Sequence, residues 1–244
     1  MSLTQLDFYP KWILFLGLFI ATIVTQLANI YYQSIQEQSD FVSKLLPSLT
    51  FLSILTIPSI LVGLQFGKWV NVSLYKPADS HSNRLNNPIL FPIFSGIILG
   101  ALLLVIRYFS SPYLPDEVPE YGFRGVIGGL LVSIGAAVGE EVWFRYGLMT
   151  LVLWGIKKVF NKSELTDRLV WIVIVVVGVA FGAAHLPQLI SYGGGTSFAL
   201  WGTMLGNIAV SMLYGWCFWK HGLVSAIIAH FTLDIVLHVL PAMV

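Results

Sequence analysis

Hydrophobic residues along the chain gather in long stretches unbroken by charge. Seven of these approach the roughly 20 mostly apolar residues needed to cross a hydrocarbon core of about 30 Å. They cover 12–30, 45–66, 89–106, 125–156, 169–190, 198–219 and 223–240. The pattern predicts an all-α fold, a polytopic bundle of seven membrane helices, or eight if the long fourth stretch hides a break. Trp12, Tyr31, Trp69, Tyr108, Trp154 and Trp219 fall at the ends of stretches, where amphipathic rings prefer the membrane interface. The first stretch is too long and too weakly cleavable for a signal peptide and reads as a retained anchor.

Composition agrees. Of 244 residues, 57% are hydrophobic and 10% charged, against about 25% charged in a soluble domain. Such a chain is neither soluble and globular nor disordered. Its net charge of +1 offers no basic surplus for phosphates, so no nucleic-acid partner is expected. The one cysteine, Cys217, excludes an internal disulfide framework and reads as a small apolar residue. No repeat or linker separates two units, so residues 1–244 are expected to form one integral-membrane domain. Small residues four apart, at Gly96 and Gly100, Gly135 and Gly139, Gly178 and Gly182, and Gly202 and Gly206, predict close helix approach. Gln26, Gln65 and Asn207 are expected to bond between helices.

Seven alternating spans sort the loops into two sets. Lys11, Lys68, Lys76, Arg84, Lys157, Lys158, Lys162, Arg168 and Lys220 fall on the side of the N-terminus, and only Lys44, Arg107 and Arg124 on the other. The positive-inside rule then puts the N-terminus in the cytoplasm and the C-terminus outside.

Four charges remain inside predicted spans, Glu140, Glu141, Arg145 and Asp234, together with His185, His230 and His238. An ionisable group near the bilayer centre costs at least about 2.5–3.5 kcal/mol, so such groups are rare, face inward and are functional candidates by default. Glu141 and Arg145 are four apart on one helical face and are expected to pair as a structural strut. Glu140 lies about 100° away round the helix and is left as the free carboxylate. His230 and Asp234 share the four-residue spacing, and Pro187 can kink the helix beside His185. Counting from the shared loop puts Glu140 and His185 at one height, and His230 about 13 Å shallower unless the hairpin projects into the cytoplasm or the sixth loop is recessed. His238 reads as an interfacial or packing residue, and His81 and His221 as loop residues.

A carboxylate in a water-poor site is a stronger base toward water. Glu140 with His185 could activate water, while His230 and Asp234 face an oxyanion from the other side. This is a plan for amide hydrolysis without a covalent intermediate, and no cofactor is favoured. The alternative is a zinc ion held by Glu140, His185 and His230, although no H-E-x-x-H helix is present. Two non-enzymatic readings also compete: an immunity or partner-binding protein, and a proton-coupled transporter, which the lack of an internal repeat disfavours.

The run Glu140-Glu141-Val142-Trp143-Phe144-Arg145 resembles the E-E-x-x-x-R motif of the CPBP (CAAX protease and bacteriocin-processing, or Abi) family of intramembrane proteases. Phe181-Gly182-Ala183-Ala184-His185 resembles its F-x-x-x-H motif, and His230-Phe231-Thr232-Leu233-Asp234 its H-x-x-x-N/D motif. The likeness covers a protease-like core at about 124–240. It implies that Glu140 is the general base, His185 assists the water, His230 and Asp234 line the oxyanion side, and Glu141 and Arg145 support them. The implied partners are the bilayer and a peptide or protein substrate, prenylated in the CAAX branch of the family. Two positions depart from the pattern. Tyr146 stands where a Gly often follows the arginine, which predicts a reshaped entrance to the site. Asp234 stands where the prenyl proteases usually have Asn, and an ionised Asp cannot donate to an oxyanion.

Overall fold

The computed structural model describes residues 9–77 and 87–244, so His81 and Arg84 lie outside the described residues. Among the described residues every regular element is helical. In chain order these are α1 (Lys11–Gln36), α2 (Phe41–Phe66), α3 (Leu90–Ser110), α4 (Gly125–Glu140), α5 (Thr150–Val159), α6 (Asp167–Ser191), α7 (Ser197–His221) and α8 (Leu223–Asp234). A π-helical segment, Glu141–Met149, joins α4 to α5 without a break, and a second, Ile235–Val239, extends α8. Seven units are long and apolar enough to cross a membrane: Lys11–Gln36, Phe41–Val70, Leu90–Tyr113, Gly125–Val159, Asp167–Ser191, Ser197–His221 and Leu223–Met243. The fourth stretch is one continuous helical run rather than two spans.

Helix starts follow local capping chemistry. Asp40 accepts from the Val42 and Ser43 amides at 3.0 and 3.1 Å, and Thr166 and Thr196 cap α6 and α7 in the same way. Helix α6 runs on through Pro187. The bundle turns apolar residues outward as well as inward: Ile54, Ile98, Val176 and Leu205 are all exposed, as suits a surface in hydrocarbon. Trp12, Tyr31, Trp69 and Tyr108 are exposed near span ends, whereas Trp154 stacks on Phe66 at 4.1 Å.

Packing relies on glycine at some of the predicted positions. A Cβ on Gly96 would lie 2.7 Å from the Ala229 carbonyl oxygen, and one on Gly100 2.9 Å from Val236 Cβ, so α3 rides directly on α8 and its extension. Gly135 faces Thr25 of α1, and Gly182 faces Met204 of α7. Gly202 and Gly206, by contrast, have open space where a Cβ would go. Gln26 donates to the Gly135 carbonyl at 2.8 Å, and Gln65 accepts from Lys11. Asn207 does not bond between helices as expected; it donates to Thr203 one turn back on α7, a partner its own helix always supplies.

The segment after α2 clasps the corner between α7 and α8. Leu223 and Val224 amides donate to the Ser73 and Leu74 carbonyls at 3.0 and 2.9 Å. Gly222, at φ 93°, turns that corner where a Cβ would meet the Ser73 oxygen at 2.8 Å. Lys76 Nζ donates to the Asn71 and Trp219 carbonyls at 2.6 and 2.9 Å. Burial first, and Lys220 second, push the Lys76 ammonium down to about 8. His221 is not a loop residue: it ends α7, buried, with its ring edge-on to Trp216 at 5.4 Å.

Candidate active site

Glu140, Glu141, Arg145, His185, His230 and Asp234 converge from three spans on one cluster. Glu140 ends α4, and Glu141 and Arg145 open the π segment, where the Thr150 amide bonds the Arg145 carbonyl five residues back. The wider turn re-aims side chains that α-geometry would place elsewhere, a device often found at functional sites. His185 lies on α6 and His230 on α8, and Asp234 ends α8 just before the second π segment.

Arg145 is fully buried, with Nη1 3.2 Å from Glu141 Oε1. Its Nη2 donates to Ser211 Oγ at 2.7 Å and to the Ser211 carbonyl at 3.3 Å. The guanidinium also lies over the rings of Phe181 (4.7 Å) and Tyr214 (5.2 Å), so its charge meets an ion pair, two hydrogen bonds and two aromatic faces.

Glu141 is more than a strut. Its Oε1 also accepts from His230 Nδ1 at 2.8 Å. The shared Oε1 accepts from both partners, so the proton of this bond sits on His230 Nδ1, and Nε2 turns toward Asp234 Oδ2 (3.5 Å) and Glu140 Oε2 (4.0 Å). His185 is fixed in a similar way: Nδ1 donates to the Phe181 carbonyl at 2.8 Å, and Nε2 faces Glu140 Oε2 at 3.9 Å. Glu140 therefore sits between two imidazole Nε2 atoms, and its Oε2 has no hydrogen-bond partner among the described residues. Gaps of 3.9 and 4.0 Å are spanned by one water at ordinary hydrogen-bond lengths of about 2.8 Å.

Depth does not separate His230 from the others, contrary to the count along the chain. The π-helical segments depart in winding from the fixed rise per residue that such a count assumes. Glu140 and His185 are the partly open members, at 21% and 30% side-chain exposure, whereas His230 and Asp234 are at 5% and 9%. His238 stands apart, its ring edge-on to Tyr121 at 6.0 Å. Tyr146 is buried beside Gly63 and Phe218. It therefore packs into the core between α2 and α7. Among the described residues, no group of three His, Cys, Asp or Glu side chains is arranged to hold a metal ion.

Sequence reasoning missed the contribution of α7. Ser211 and Tyr214 are three residues apart and share one helical face, yet nothing in a plain apolar span singles them out. Phe181 was visible only as the first residue of the histidine motif.

A polytopic helical bundle with carboxylates, imidazoles and one arginine gathered inside its apolar body defines a class: an integral-membrane protein with a polar, partly open intramembrane site. Residues 120–236 match the family model described as type II CAAX prenyl endopeptidase Rce1-like. That part of the chain is similar to Rce1-like domains, consistent with the CPBP intramembrane proteases, and all three motifs lie within it. Neither the curated proteins nor the solved structures contain a match to the chain.

Proposed function

We propose that the protein is an intramembrane endopeptidase that hydrolyses a peptide bond near the C-terminus of a membrane-anchored, prenylated peptide. The observation that carries this reading is the position of Glu140 Oε2, unpartnered and 3.9–4.0 Å from the Nε2 atoms of both motif histidines. A water between Glu140 and His185 donates one hydrogen to each, because His185, with its proton committed from Nδ1 to the Phe181 carbonyl, presents a bare Nε2 there. Its lone pair is then free to attack a carbonyl carbon, Glu140 takes the proton, and the same carboxyl returns it to the leaving amine.

On the opposite side His230 stabilises the oxyanion. With Nδ1–H committed to Glu141, it donates from Nε2 only in its doubly protonated form, whose charge Glu141 and Asp234 compensate. Asp234 in this scheme orients and neutralises His230 and is not itself the donor. Glu141 and Arg145 act as positioning residues. The nine-to-three distribution of loop Lys and Arg supports a cytoplasmic N-terminus and an outer C-terminus.

The test is turnover of a fluorogenic prenylated peptide by protein purified into nanodiscs. Glu140→Gln is expected to lower kcat by about 10²–10⁴-fold with its melting temperature unchanged. Cleavage by that variant at the wild-type rate refutes the assignment. Full turnover after incubation with a strong zinc chelator is expected; loss that added zinc restores would replace the glutamate mechanism with the metal-assisted one.

A further inference from the structure

The histidine on α8 is touched by a fourth helix that none of the three motifs includes. Tyr214 of α7 is fully buried, and its ring lies parallel to His230, 12° between planes and 4.3 Å between centroids. The other ring near His230, Phe181, meets it edge-on at 6.1 Å and 73°. The Tyr214 hydroxyl has no hydrogen-bond partner among the described residues, so the face of the ring is what engages the site.

A bond through Nδ1 to Glu141 fixes which nitrogen carries the proton, but it leaves the plane of the imidazole free to swing about that bond. A flat ring pressed on the face removes this freedom. The same Tyr214 ring carries the Arg145 guanidinium at 5.2 Å, and Ser211, on the same face of α7, accepts from that arginine. One face of α7 thus braces both the arginine and the α8 histidine of the cluster.

We propose that Tyr214 is a positioning residue whose ring holds the His230 imidazole in the plane that aims Nε2 into the site. The proposal rests on the hydrolase reading for its consequence in turnover, but not for its geometry. It is tested with wild-type protein, Tyr214→Phe and Tyr214→Met in nanodiscs, with two readouts. The first is the NMR cross-peak of the His230 Nδ1–H proton in histidine-labelled protein, assigned by its loss in His230→Gln. The second is cleavage of the prenylated peptide.

Tyr214→Phe keeps the ring and is expected to retain the cross-peak, with kcat within about threefold of wild type. Tyr214→Met keeps most of the volume without the face. Its Nδ1 proton is expected to exchange with solvent at least about tenfold faster, and kcat to fall about 10- to 30-fold with KM little changed. A Met variant that matches wild type in both readouts overturns the proposal, as does a Phe variant that loses as much as the Met variant. Should the Met variant fail to fold, loss of the cross-peak in the Phe variant still overturns it and retention supports it. Should wild-type protein cleave nothing, the hydrolase reading falls, and the exchange rates still decide what Tyr214 does.

Discussion

Arg145→Met removes the only positive charge inside the cluster apart from its histidines. The arginine makes an ion pair at 3.2 Å, two hydrogen bonds to Ser211 at 2.7 and 3.3 Å, and contacts with two aromatic faces, all at zero exposure. Hydrogen bonds to charged groups are worth about 1.5–3 kcal/mol each, but these contacts share one side chain and do not add. The larger effect is on what remains, because Glu141 is left as a buried carboxylate with only His230 to compensate it. Breaking a buried pair from one side costs about 3–5 kcal/mol. At about 1.4 kcal/mol per tenfold, that lowers the folded-to-unfolded ratio by two to three and a half powers of ten. Denaturant titration in mixed micelles reads this directly. Glu141→Gln with Arg145→Met leaves no orphaned charge and is expected to recover about 1–3 kcal/mol relative to the sum of the single changes. Additive single and double variants, or an Arg145→Met protein as stable as wild type, would refute the view that the two charges depend on each other.

Gly96→Val forces a branched side chain into the 2.7 Å approach to Ala229 and is expected to destabilise the bundle by about 1–3 kcal/mol. Gly206→Ala, at an open position on α7, should leave the thermal midpoint equal or slightly higher. Lys76 carries the pH prediction. Its folded value of about 8 lies below the ordinary 10.5, so between those values the unfolded chain binds a proton that the folded chain has released. Stability contributed by this group therefore rises with pH across that window. Thermal unfolding of wild type and Lys76→Met at pH 7.5 to 10.5 should show the rise in wild type only; parallel curves would contradict it.

The spans were legible because hydrocarbon thickness fixes how many apolar residues must run together, and aromatic or charged residues mark the ends. The cluster was legible because ionisable side chains have no other business at that depth. What stayed hidden were departures from ideal winding. A count at about 1.5 Å per residue could not choose between a shallower His230 and a recessed loop or projecting hairpin, and only the packed helices bring His230 to within 4.0 Å of Glu140. The spacing rule paired Glu141 with Arg145 correctly but could not show that the same carboxylate serves His230, which comes from 89 residues further on. Ser211 and Tyr214 are ordinary residues of an apolar helix until neighbouring helices are placed against them. Asn207, read as a link between helices, took the nearer carbonyl of its own turn.

The stretch that matches the protease family begins at residue 120, yet α3 lies against α8 through bare glycine backbone, and α1 is bonded to α4 through Gln26. The matching stretch is thus packed against helices that lie outside it. Excised alone, the matching half would present to lipid two troughs shaped for neighbours it no longer has. The first three spans are free to diverge in sequence only where they do not fill those troughs, so homologues should vary in their outer faces while preserving the contour that meets α4 and α8.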